Sequence, residues 1–178
     1  MDKEITIQPL STSVSDGKFS AHGYVTYQGK SPNAMEFEFR YIDAFEWSSS
    51  PNYQYTDKIA HAWQAHTTSI SSYARTIQTL PGATNDNYLS VTSEGAYASS
   101  AEIQFVSQVF NNLKGYLVDN VRIPISNSGT TGKYVGAYAH PWSMLEPSIS
   151  VGPISVGYGG FIGDEWSWET TYTISSSL

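Results

Sequence analysis

Residues 57–80 read DKIAHAWQAHTTSISSYARTIQTL, and their periodicity decides the expected fold class. Ile59, Trp63, His66, Ile70, Tyr73, Ile77 and Leu80 recur at spacings of four and three, which places them on one face of an α-helix. Thr56 or Asp57 caps its start and Pro81-Gly82 ends it. A second helix is expected over 100–114. Ser99 and Glu102 make a capping box, and Ile103, Val106, Phe110 and Leu113 keep the helical period. Lys114 suits the last turn and Gly115 the C′ position.

Strands flank this middle third. Asp16-Gly17 is a two-residue hairpin signal between Glu4–Ser15 and Lys18–Tyr27, because both turn positions favour positive φ. Pro9 belongs on an edge or at a bulge. Met35, Phe37, Phe39 and Tyr41 alternate with Glu36, Glu38 and Arg40, the period of a strand with one buried face. Further strands are expected at Tyr88–Thr92, Tyr116–Ser126, Tyr134–His140 and Ser148–Tyr158, the last kinked or bulged at Gly152-Pro153. Glu165–Ser175 alternates Trp166, Trp168, Thr170, Tyr172 and Ile174 against Glu165, Ser167, Glu169, Thr171 and Thr173. The expected class is α+β: a mainly antiparallel sheet of about seven to nine strands with two amphipathic helices (57–80 and 100–114) packed on it. A β-sandwich carrying the same two helices is the alternative. No linker-like stretch divides the 178 residues, so a single domain, 1–178, is expected.

Composition excludes several classes. There is no cysteine, hence no disulfide scaffold, thiolate metal site or cysteine nucleophile. Nine basic against 16 acidic residues, net −7, disfavour a nucleic-acid partner. Met1-Asp2-Lys3-Glu4-Ile5 lacks the basic-then-apolar pattern of a signal peptide, and no apolar run is long enough for a transmembrane helix. With 26 serines and 6 lysines, the surface relies on hydroxyls and amides more than on charge. That profile suits an extracellular or virion-associated protein better than a cytosolic enzyme.

Catalytic and cofactor motifs are scarce. On a helix His61 and His66 stand roughly 140° apart, too far to share a metal ion, and a core position explains His66 better than a ligand role. Gly157–Gly163 misses phosphate-loop spacing and runs into Asp164-Glu165, which repel phosphate. No metal and no cofactor is expected. Asp164, Glu165 and Glu169 flank Trp166 and Trp168 like an acid pair beside a sugar platform, although a regular strand points the tryptophans away from both glutamates.

Surface features carry the functional reading. Beside its apolar stripe the first helix shows Ala62, Ala65, Ser69 and Ser72, small residues that admit a close neighbour and form the expected interface. The second displays Gln104, Ser107, Gln108, Asn111 and Asn112 where a solvated helix carries ion pairs. Trp47, Tyr53, Tyr55, Trp142, Trp166 and Trp168 are the binding candidates, since loop-borne aromatics beside Asn and Ser suit flat ligands and interfaces. The expectation is a non-enzymatic interaction protein: an oligomer-forming structural subunit, or one that binds a glycan or cell-surface receptor outside the cytosol. Two other classes stay open. One is a small pore-forming or membrane-active toxin using a β-hairpin near 147–175, the only reading that brings membrane contact. The other is a carbohydrate hydrolase using Asp164, Glu165 or Glu169.

Overall fold

A computed structural model describes residues 10–11 and 13–175, and none of them lies in an α-helix. The elements in chain order are β1 (Leu10–Ser11), β2 (Ser13–Asp16), β3 (Phe19–Lys30), β4 (Glu36–Trp47), β5 (Asp57–Trp63), β6 (Thr68–Leu80) and β7 (Ala83–Leu89). They continue with β8 (Val91–Ser93), β9 (Ala98–Ile103), β10 (Asn112–Pro124), a 3₁₀ turn at Ile125–Asn127, β11 (Thr131–Pro141), β12 (Ser148–Gly152), β13 (Ser155–Gly159) and β14 (Gly163–Thr173). The expected strand start at Glu4, the edge proline Pro9 and the Met1–Ile5 segment lie outside the described residues.

One six-stranded sheet has the order β1-β14-β11-β5-β9-β8, and a second the order β2-β3-β4-β10-β6-β7. Neighbours within both are antiparallel. β12 and β13 form a separate hairpin over the first sheet. Tyr158 Oη donates to the carbonyls of Lys58 and Ala137, and the Ile154 amide donates to the Trp63 carbonyl. The hairpin explains why β5 is buried on alternate residues of both faces: Ile59, His61 and Trp63 point between the sheets, while Ala60 and Ala62 lie beneath the cover.

Both expected helices are therefore overturned, and with them the α+β class. The first is two strands, β5 and β6, joined by a turn at Ala65-His66. The second is β9, an irregular segment and the start of β10. Spacings of three and four arose by coincidence in a segment whose intrinsic preference runs the other way. Thr67-Thr68-Ser69-Ile70-Ser71-Ser72 is made of β-branched and hydroxyl side chains that are weak in helices. In β6 the inward residues are Ala74, Thr76 and Gln78, so the period is two. The supposed capping box is taken apart: Ser99 donates to Asp119 and Glu102 pairs with Lys58. Gly115 is no helix cap but a mid-strand position where a Cβ would strike the Phe45 ring. Among the described residues fourteen strands replace the expected seven to nine. Gly152-Pro153 marks a chain reversal, with Pro153-Ile154 as the two-residue turn, and not a kink within one strand. β14 pairs with β11 and β1 inside the first sheet, so 147–175 is not one hairpin.

Other expectations correspond to what is found. The β2–β3 hairpin is found, but its two-residue turn is Gly17-Lys18 and not Asp16-Gly17: Asp16 is paired with Phe19 in the ladder, and of these residues only Gly17 has positive φ, 56°. β4 buries Phe37, Phe39, Tyr41, Asp43, Phe45 and Trp47 on alternate positions, whereas Met35, expected on the same face, precedes the strand and is exposed. β14 sends Trp168, Thr170 and Tyr172 inward, with Ile174 beyond it.

The interior consists of two apolar clusters. One gathers Phe19, Phe45, Ile59, Leu117, Tyr138 and Trp168, the other Phe39, Tyr41, Trp63, Val121, Tyr134 and Tyr172. On β4 the step from one to the other falls at Asp43, on β10 at Asp119 and on β5 at His61. These three side chains form a polar layer, all fully buried. His61 reaches from the first sheet with Nδ1 2.9 Å from Asp43 Oδ2 and Nε2 2.6 Å from Asp119 Oδ2, both acids on the second sheet. Trp168 of the first sheet donates from Nε1 to Asp43 Oδ1 at 2.6 Å. Burial alone would lower the imidazole pKa, but hydrogen bonds and charge from Asp119 and Asp43 outweigh it and raise the ring to about 9. Asp119 is correspondingly held below the ordinary carboxylate range, despite its burial. Gly136 of β11 makes room for this layer, since a Cβ there would meet the Trp168 indole and lie 2.7 Å from Asp43 Cγ. Gly136→Ala is expected to cost about 1–3 kcal/mol by overpacking, read as a lower urea midpoint with an unchanged m-value.

Candidate functional site

Four of the six aromatic binding candidates meet at one end of the sandwich. Trp47, Tyr53, Trp142 and Trp166 line a cleft of about 240 Å³ with Asp16, Lys18, Asn52, His140 and Asp164. The strand register brings them together. Trp47 ends β4 opposite Phe19, and Phe19 stacks on Trp166 with ring centroids 4.3 Å apart. His140 and Asp164 are partners across β11 and β14 of the first sheet and Trp47 comes from the second, so the cleft spans both sheets.

Each wall is fixed by hydrogen bonds. Trp142 leaves β11 into a loop tied back by its amide to the Ile162 carbonyl at 2.7 Å, and its Nε1 donates to Asp164 Oδ2 at 3.1 Å. Trp166 Nε1 donates to Asp16 Oδ2 at 3.3 Å from the tip of the β2–β3 hairpin. Tyr53 stacks on Trp142 at 5.8 Å and 26°. Its loop is held by the Ser48 amide on the Lys18 carbonyl, by Lys18 Nζ on the Ser50 carbonyl and by Ser50 Oγ on both the amide and carbonyl of Phe110. Tyr53 and Trp142 are 47% and 42% exposed, so their outer surface faces solvent while their orientation is set.

Beneath the floor, His140 Nδ1 donates to Asp57 Oδ1 at 2.8 Å and Tyr138 Oη to Asp57 Oδ2 at 2.6 Å. Trp47 Nε1 donates in turn to Tyr138 Oη at 3.1 Å. Burial pushes the Asp57 carboxyl up to about 6, against the opposing pull of those hydrogen bonds.

The remaining candidates are dispersed. Tyr55 lines an adjoining depression with Phe105, Met144 and Leu145. Trp168 is core. Ala62 is buried in β5, Ala65 is exposed in the following turn, and Ser69 and Ser72 on β6 donate to Asp119. Without a helix the four share no single face, but Ala65, Ser69 and Ser72 line one cavity, with Ala62 apart from them. Of the carboxylates, Asp164 is in the cleft, Glu165 accepts from the Tyr158 amide and Glu169 pairs with Lys133 at 2.5 Å. His140, Asp57 and Lys18 had no sequence signal, while Asn52 had one as the asparagine beside the loop-borne Tyr53. Asp16 had one, as the polar tip of a predicted hairpin. Among the described residues no group of three metal-ligating side chains converges, and no helix is long and apolar enough to cross a membrane.

The fold and the cleft together define a β-sandwich with an aromatic, carboxylate-edged groove at one end. No protein-family model matches the sequence, and no curated protein is detectably similar to it. Similar solved structures include the Clostridium perfringens NetB toxin in its membrane-inserted form, at 8% identity over 93% of this chain and 95% of that one, TM-score 0.48. Two others are a collagen-binding domain from a Staphylococcus aureus adhesin (10% identity, 88% and 98% coverage, TM-score 0.45) and the collagen-binding subdomain ACE19 of Enterococcus faecalis surface protein ACE (9% identity, 89% and 96% coverage, TM-score 0.44). At such identities and TM-scores these likenesses carry nothing about what this chain binds or does.

The Asp57 environment has a measurable consequence. Because its folded pKa lies above the ordinary 3.8, the folded state holds this proton more tightly than the unfolded chain does. The stability cost is absent below about pH 4, grows as pH climbs through about 6 and is complete above that. Asp57→Asn removes it. Urea unfolding should therefore show wild-type stability falling relative to the variant between about pH 4 and 6.5, then running parallel to it.

Proposed function

We propose that this protein is a non-enzymatic binding module whose aromatic cleft docks a sugar unit of a glycan outside the cytosol. The observation that carries the reading is the Tyr53–Trp142 pair. Two large rings remain half-exposed, yet one is locked by a carboxylate and the other by stacking. A C–H face of a pyranose lies flat on such a surface, where apolar burial and dispersion favour it. Asp16, Asn52, Lys18 and Asp164 surround the rings with donors and acceptors that fix the orientation of the sugar hydroxyls.

The magnitudes suit weak, repeated contact. Covering about 100 Å² of aromatic surface contributes about 2–3 kcal/mol before the cost of association. With one or two hydrogen bonds added and the association cost set against them, the affinity per sugar is no better than millimolar. Useful avidity then requires several sites at once, which fits the proposal that the protein works as a homo-oligomer.

The test is a glycan array probed with wild type, Trp142→Ala and Tyr53→Ala. Both substitutions are at half-exposed rings and should leave the urea midpoint nearly unchanged while lowering the signal at least about tenfold. Wild type without a hit, or hits equally strong in both variants, would remove the reading. Release of dye from liposomes lacking glycan would instead favour the membrane-active alternative.

A further inference from the structure

At the other end of β5 the polar layer opens into a second cavity, of about 620 Å³, between the β5–β6 turn, the start of β6 and the β8–β9 turn. Asp119 is at its floor. Its carboxylate accepts four hydrogen bonds: Oδ1 from Ser69 at 2.6 Å and Ser72 at 2.5 Å, Oδ2 from His61 Nε2 at 2.6 Å and from Ser99 Oγ. Those four fill the acceptor capacity of a carboxylate. Each serine has one hydroxyl proton and has committed it to Asp119, so each turns only lone pairs toward a ligand.

A bulge makes the arrangement possible. Asn120 pairs with Ser71 and Val121 with Ser69, leaving Ile70 as the extra residue. In a regular strand Ser69 and Ser72, three apart, would face opposite sides. The inserted residue turns both toward the same carboxylate oxygen.

The cavity wall also holds a donor with nothing to donate to. Trp63 is 2% exposed, and its Nε1 has no hydrogen-bond partner among the described residues. A buried N–H left unsatisfied is costly, and a ligand oxygen that reaches Nε1 from the cavity relieves that cost. No lysine or arginine is among the lining residues. The layer behind them sets two carboxylates against one imidazole, so the site is hostile to anions.

We infer that this cavity binds an uncharged, polyhydroxylated ligand, a single sugar unit or a polyol of that size. Its hydroxyls donate to Ser69, Ser72 and Ser99, and one of its oxygens accepts from Trp63. The site shares no residue with the aromatic cleft, and the inference stands whether or not the cleft binds glycans.

The Trp63 indole N–H resonance in ¹H–¹⁵N correlation spectra of the full chain, assigned with Trp63→Phe, reads occupancy directly. D-glucose, D-galactose and D-mannose are the probes and D-glucuronate the anionic comparison. At least one neutral sugar should shift the resonance to saturation, in wild type and in Trp142→Ala alike, while glucuronate does not. Ala96→Phe, an exposed substitution at the rim, should keep the spectrum of a folded protein and weaken the titration at least about tenfold. The inference is overturned if no neutral sugar moves the resonance, if glucuronate moves it as strongly, or if Ala96→Phe titrates like wild type.

Discussion

Everything in this fold accommodates one buried ionic layer, in which an imidazole from one sheet sits between two carboxylates of the other. Removing such groups from water costs several kcal/mol each, and only close, complete pairing offsets it. The pairing here is complete on the Asp119 side and reinforced by Trp168 on the Asp43 side. A buried ion pair is weak evidence for stability, but it is strict about geometry. A one-residue slip of β4, β5 or β10 would turn its charged side chain from the layer to the other face of the sheet. We regard the layer as what fixes the facing of the two sheets, with tyrosine ties such as Tyr41–Tyr172, at 2.6 Å, closing the apolar interior beyond it.

From that fixed facing the two cavities follow. β5 runs from Asp57 beneath the aromatic cleft, through His61, to Trp63 on the wall of the hydroxyl-lined cavity. β4 ends at Trp47, and β11 delivers His140 and Trp142, each a set number of residues from the central layer. Trp47 and Trp166 are then positioned by the sheets, while loops add Tyr53 and Trp142, which stack on each other. A rigid scaffold presenting partly exposed aromatics limits the ordering entropy lost on binding, which matters most when each contact is weak.

How much of this was legible in the chain depends on what kind of signal each element left. Clean alternation marked β4 and β14, and Asp16-Gly17 marked its hairpin, because local sterics decide those features. β5 and β6 were misread because β5 is buried on both faces and β6 carries a bulge at Ile70. Each departs from strict period two, and together they imitate a helical stripe. Weighing the Thr and Ser run at 67–72 above periodicity would have separated them. Aromatic residue types pointed to Trp47, Tyr53, Trp142 and Trp166 one by one. Their convergence, like the meeting of Asp43, His61 and Asp119 across 76 residues of chain, is a property of register that single-residue patterns do not encode.

The charge state of His61 tests the account most directly. Following its ring nitrogens by ¹⁵N NMR against pH should find an imidazolium with both N–H groups present throughout neutral pH, deprotonating near pH 9. A ring that is a neutral tautomer at pH 7, or that titrates at or below the ordinary 6.5, would contradict the ionic layer and the role assigned to it.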